Sequence, residues 1–156
     1  MNLDESTREK IGKFNIFEDL SAEEIDAIIQ CGKLVNFQTG ETIIEESDES
    51  WDLYVVLSGR ISIEMALRSH ASSLPRSRQI AQFRAGEVFG DMAFLRGARR
   101  SASVTTINDF SALVFDRDKL YDLFDRDNHI GYIMVRNLAK IMSSRVMELN
   151  FMLRDS

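Results

Sequence analysis

A chain of 156 residues with 44% hydrophobic and 28% charged residues has material for one buried core and too little for two ordinary domains. Its formal charge of −6 argues against general nucleic-acid binding, and a single cysteine, Cys31, excludes an internal disulfide or a cysteine-based metal site. No apolar run approaches the roughly 20 residues of a membrane span, and MNLDESTREK is not followed by an apolar segment, so the expected compartment is the cytoplasm.

In chain order, residues 3–13 carry a short helical pattern, and Ser21-Ala22-Glu23-Glu24 is a capping box that predicts a helix over 22–31. The apolar period then changes from 3.6 to 2. Short strands are predicted at 34–37, 42–44, 53–57, 61–65 and 79–83, divided by turn signals at Thr39-Gly40, Ser47-Asp48-Glu49, Ser58-Gly59 and Ala85-Gly86. Residues 67–78, LRSHASSLPRSR, include the only proline and read as a long mobile hairpin loop. Two further strands follow at 101–107 and 110–116. Many short strands at regular spacing suggest a sandwich or jelly roll.

After Asp116 the helical period returns, first over 117–124 and then in a long helix capped by Asp127 and running to about 152. Its apolar stripe is Ile130, Ile133, Met134, Leu138, Ile141, Met142, Leu149 and Met152, interrupted by Arg145. A stripe this long exceeds what a small barrel can cover, so a homodimer through this helix is expected. The organisation is therefore one domain over 1–156, with helices in 1–32, a β barrel in 33–116 and helices in 117–156.

Charge is unevenly spread. Between Arg60 and Arg100 lie eight arginines, no lysine and three acids, a net +5 against −11 for the remainder. Such a local surplus attracts a small anion while the rest of the surface repels polyanions. Within it, residues 86–104 read GEVFGDMAFLRGARRSASV. Here Asp91-Met92-Ala93-Phe94-Leu95 forms one helical turn whose first amides lack intrahelical acceptors, and Gly90 permits close backbone approach. Arg100 returns a planar fork to the same anion, and Ser101 adds a hydroxyl. Asp91 beside an anion would repel it unless it bound a hydroxyl, a combination that describes a ribose phosphate.

FGDMAFLRGARRSASV resembles the phosphate-binding cassette of cyclic nucleotide-binding domains, whose form is F-G-E-(L/I/M)-A-L, a spacer, then Arg, a small residue and Val. DLYVVLSGRISI at 52–63 is similar to the same family's glycine hairpin. The resemblance covers nearly the whole chain and is of the catabolite activator type without a DNA-binding domain. It implies a mainly β fold, an eight-stranded jelly roll with N-terminal helices and a long C-terminal helix, holding cAMP or cGMP and needing no cofactor or metal.

Carried over by position, Phe89, Gly90, Asp91, Met92, Ala93, Arg100, Ser101 and Ala102 would bind the ligand. Arg100 and the amides near Met92 and Ala93 would take the cyclic phosphate, and Asp91 the ribose 2′-hydroxyl. Asp91 departs from the family's usual glutamate, which sets its oxygens roughly 1.3 to 1.5 Å back. Ser143 and Ser144 fall where relatives place lid residues. The chain ends at Ser156 without room for a helix-turn-helix, so direct DNA binding is not expected, and the output would pass to an effector protein; the alternative is a degenerate fold of the same family serving as a dimeric protein-interaction scaffold without nucleotide binding. His70 and His129 lack metal-ligand spacing and read as surface histidines, while Cys31 and Trp51 read as packing residues, so no catalytic activity is expected.

Overall fold

Short polar side chains start most of the helices. The Asp4 carboxylate accepts from the Thr7 amide at 2.7 Å to open α1 (Glu5–Gly12). The predicted capping box opens α2 (Ala22–Ile29), with Ser21 Oγ and the Glu24 carboxylate each accepting the other's backbone N–H. Asp116 caps α4 (Arg117–Arg126) and Asp127 caps α5 (Asn128–Arg154). Between α1 and α2 lies a single 3-10 turn, Asn15–Phe17. The computed structural model describes residues 1–67 and 76–156.

Eight strands build the barrel: β1 (Gly32–Phe37), β2 (Thr42–Ile44), β3 (Leu53–Ser58), β4 (Ile61–Leu67), β5 (Arg76–Phe83), β6 (Val88–Phe89), β7 (Ser103–Thr106) and β8 (Phe110–Phe115). They form two antiparallel sheets in the orders β1-β8-β3-β6 and β2-β7-β4-β5, the jelly-roll arrangement that the resemblance implies. The turn from β3 to β4 needs Gly59, at φ +83°, where a Cβ would come within 2.3 Å of the Asp109 carbonyl.

Two sequence expectations change at the arginine-rich segment. Residue 67 and residues 76–78, expected in a loop, are strand, paired as Leu67↔Arg76, Ala66↔Ser77 and Met65↔Arg78, whereas 68–75, with His70, lie outside the described residues. β5 lies at the edge of its sheet, where backbone pairing to β4 on one side suffices without an apolar alternation. β6 was not foreseen because two residues are too short to show a period.

The sheet containing β3 and β8 is covered on both faces, which explains its nearly unbroken apolar runs. Leu53, Val55, Leu57, Leu113 and Phe115 point into a core shared with Ile11, Phe17 and Ile28 and with Leu120, Met134 and Leu138 of α4 and α5. The alternate residues Val56, Phe110 and Ala112 meet Ile44, Ile61 and Val104 of the other sheet. Burial of this apolar surface, at about 25 cal/mol per Å², is the main stabilising term.

The first half of α5 belongs to the first core. Ile130 and Met134 are buried there, and Asn137 Nδ2 donates to the carbonyls of Ile16 and Glu18 at 2.9 Å each. The second half is open, with Leu149 55% and Met152 68% exposed, so the stripe is covered by its own barrel from Ile130 to Leu138 and uncovered at its C-terminal end.

Candidate functional site

A cavity of about 940 Å³ opens between the barrel and the second half of α5. Its size is in the range of small-molecule sites. One wall is the turn from β6 into α3 (Asp91–Arg96). Gly90, the residue before α3, has φ +78°, and a Cβ on it would lie 2.7 Å from Arg100 Nη1 and 2.9 Å from the Asp52 carbonyl. Both the left-handed backbone and the crowding require glycine here. No side chain caps α3, so its first amides have no intrahelical acceptor, and their residues Asp91, Met92 and Ala93 line the cavity.

Arg100 is 4% exposed and lines this cavity. Its Nε donates to Ser50 Oγ at 3.1 Å, Nη1 to the Gly90 carbonyl at 3.0 Å and Nη2 to the Asp52 carbonyl at 2.9 Å. Of the five N–H donors of a guanidinium, three are thus used, and the other two meet no acceptor among the described residues. Burial lowers the Arg100 pKa, and the Tyr54, Asp52, Asp48 and Asp91 side chains oppose that shift. Burial likewise raises the Tyr54 hydroxyl and the Asp52 carboxyl above their ordinary values. A buried guanidinium whose direct hydrogen bonds go to two carbonyls and a hydroxyl, with no carboxylate in direct contact among the described residues, is suited to an anion.

All eight expected ligand residues line this cavity. Phe89 is buried and stacks on Tyr54 with centroids 4.7 Å apart; Ala93 and Ala102 are buried; Met92 is half exposed, and Ser101 Oγ lies 4.0 Å from its sulfur. The lid expectation divides: Ser144 lines the cavity and Ser143 does not, since adjacent helical residues point about 100° apart. Arg99, next to Arg100, turns outward and pairs with Glu49 at 3.0 Å on the surface.

Four residues escaped the sequence reading. Ser50, Asp52 and Tyr54 meet Arg100 through tertiary contacts some 46 to 50 residues away. Arg145 is the fourth: Nη1 lies 3.3 Å from Asp91 Oδ1, Nη2 donates to the Val88 carbonyl, and the guanidinium carbon sits 4.3 Å from the Phe83 ring centroid. A signal was present, because a charged residue inside an apolar stripe faces the same way as Ile141 and Met142. His129, read as an ordinary surface histidine, is 61% exposed and pairs with Glu24 at 2.6 Å, joining the start of α5 to α2.

Comparisons with known proteins agree with this fold. The family model described as the cyclic nucleotide-binding domain matches residues 34–127. The chain is 28% identical over 133 residues to the cyclic AMP receptor protein of Thermus thermophilus, covering 85% of this chain and 57% of that protein. It is 25% identical over 116 residues to human cGMP-dependent protein kinase 2, covering 74% of this chain and 15% of the kinase. It therefore spans little more than half the first of these relatives and a small part of the second. Among solved structures, the Thermus thermophilus catabolite activator protein superposes with a TM-score of 0.74 at 26% identity, covering 90% of this chain and 62% of that one. A cyclic nucleotide-binding domain from Methylobacillus flagellatus shares the fold with a TM-score of 0.83 at 23% identity, covering 97% and 83%. With its jelly roll, its glycine-led cassette turn and the match over residues 34–127, the chain belongs to the cyclic nucleotide-binding domain family.

Proposed function

We propose that this chain is a cyclic nucleotide sensor, binding cAMP or cGMP in the cavity between barrel and α5 and passing the signal through its C-terminal helices to an effector protein. The observation that carries this reading is the buried Arg100 guanidinium, held by carbonyls at the mouth of an uncapped helical turn. The cyclic phosphate would take the two remaining guanidinium donors and the amides near Met92 and Ala93, Asp91 would accept from the ribose 2′-hydroxyl, and Ser101 and Ser144 would border the base. The names of the relatives include both messengers, a cyclic AMP receptor and a cGMP-dependent kinase.

Output through α5 is supported by its exposed second half, where Leu149, Met152 and Leu153 offer an apolar face for a second copy of the chain. A regulatory domain working in the cytoplasm, dimeric and without direct DNA contact, is the corresponding reading of the whole 1–156 unit. No helix among the described residues is long and apolar enough to cross a membrane.

The test is calorimetric titration of the chain with cAMP and with cGMP. Wild type should bind at least one of them, and Arg100→Ala should weaken binding at least a hundredfold, the loss of charge-assisted bonds of about 1.5–3 kcal/mol each. Arg100→Lys, which keeps the charge but not the planar fork, should fall between. Absence of heat from wild type up to millimolar ligand would overturn the reading and leave a dimeric interaction scaffold.

A further inference from the structure

The segment joining β2 to β3, residues 45–52, is acidic in sequence, and nothing in that composition suggests that it should lie against a buried arginine. It does so with its backbone. The Arg100 amide donates to the Asp48 carbonyl and the Ser47 amide to the Arg100 carbonyl, at 2.9 Å each, so Arg100 and the segment are paired as in a short ladder. The Glu46 amide donates to Ser103 Oγ at 2.9 Å, at the start of β7. Ser47 holds φ +74°, a left-handed backbone that a residue other than glycine keeps only where its surroundings fix it. The path of the segment is therefore set by the same residue whose side chain it then receives: Arg100 Nε donates to Ser50 Oγ at 3.1 Å and Nη2 to the Asp52 carbonyl at 2.9 Å.

We infer that residues 45–52 are a strap that orients the Arg100 fork, with Ser50 as its positioning residue. The inference rests on the nucleotide reading and adds a residue to it. A guanidinium is planar, so holding Nε and one proton on each Nη fixes the rotation of its plane. The Gly90 and Asp52 carbonyls are backbone groups that a side-chain change leaves in place, whereas the Nε bond depends on the Ser50 hydroxyl. With Nε engaged, the two donors left for an anion lie one on each Nη. Without it, an N–H of a residue that is 4% exposed lacks an acceptor, and the plane is free to turn and offer Nε to the anion instead. The hydroxyl also suits the task by its lack of charge. Ser50 holds the fork without competing for the cation, whereas a carboxylate in its place would form the direct ion pair that Arg100 lacks among the described residues. The acids of the strap are turned elsewhere: Glu49 pairs with the outward Arg99 at 3.0 Å, and Asp48 Oδ2 accepts from the Glu45 amide at 3.3 Å.

A double-mutant cycle between Ser50 and Arg100 tests this, because R100K carries an ammonium and has no fork to orient. Calorimetry on the full chain would use whichever of cAMP and cGMP binds tighter, with wild type, S50A, R100K and the double variant, each checked for cooperative unfolding in urea. S50A should weaken binding about fivefold or more, but less than about twofold in the R100K background. S50T, which keeps the hydroxyl, should recover most of the lost affinity. S50D should weaken binding beyond S50A, about tenfold or more, since its carboxylate engages the cation in place of the ligand. Equal weakening by S50A in both backgrounds would overturn the inference, as would unchanged binding by S50A or by S50D, while leaving the nucleotide reading intact. Should S50A fail to fold, S50T and S50D decide alone, and equal affinities of those two would overturn the inference. Absence of binding by wild type would instead remove the nucleotide reading, and this inference with it.

Discussion

The two halves of α5 are one continuous helix under two different kinds of control. From Ile130 to Leu138 it is fixed by burial and by directed bonds: Met134 is fully buried, Asn137 satisfies two carbonyls of the 15–18 segment, and Arg136 and Lys140 pair with Asp19 and Glu18. From Ser143 onward the helix is largely exposed, and the contact that draws it to the barrel is Arg145 on Asp91 and Val88. Both halves are regular helix, so the difference in burial is tertiary. A helix anchored at one end and held at the other, among the described residues, mainly through Arg145 can shift at that end with little loss of core.

The contrast can be broken most forcefully at the anchor. Met134→Ala should cost about 2–5 kcal/mol in urea unfolding, the transfer and cavity terms of a buried methionine. A loss below 1 kcal/mol would mean that this half is no better packed than the other.

Asn137→Ala should cost about 1–3 kcal/mol, because the carbonyls of Ile16 and Glu18 lose their donor without access to an equal replacement. Comparison with Asn137→Asp, which keeps the shape but removes the Nδ2 donor, sharpens the result: the aspartate variant should be at least as unstable.

A smaller, pH-dependent effect comes from Glu24, whose pKa is lowered first by the Ser21 amide and then by the His129 contact. A carboxylate whose folded pKa lies below its ordinary value of 4.5 stabilises the fold above that value, and the contribution disappears as pH falls through the lowered folded pKa. The urea midpoint should therefore drop between pH 6 and pH 3 by more in wild type than in Glu24→Gln. Parallel profiles would show that the link from α2 to the start of α5 contributes nothing.

The smallest effect on stability is expected at the open end. Leu149→Ser with Met152→Ser should change the unfolding free energy of the monomer by no more than about 0.5 kcal/mol per site, yet convert a sedimenting dimer to a monomer. Loss of stability on the scale of Met134→Ala would show instead that this end is a core.

Much of this could be read from residue order. Caps at Ser21, Asp116 and Asp127 mark their helices because a side-chain oxygen three residues from an orphan amide is a purely local device. The cassette was legible for the same reason: Gly90, the α3 turn and Arg100 lie within ten residues, so their spacing alone brings donors to one point. What could not be read depends on remote segments. Ser50, Asp52 and Tyr54 have no local mark of serving Arg100, and β6 is too short to display a period. Ser143 and Ser144 illustrate the limit, since only the rotation of α5 against the barrel selects the second of them.

The order of residues by itself determined most of the helices and strands, the family and the glycine-led cassette turn, since each is written in short-range periodicity or spacing. Tertiary structure alone decided that Arg100 is held by carbonyls, that Arg145 crosses the cavity to Asp91, and that α5 is buried along one half and open along the other. Those outcomes depend on which distant surfaces meet, and the burial and charge pairing that result are properties of the meeting rather than of either segment.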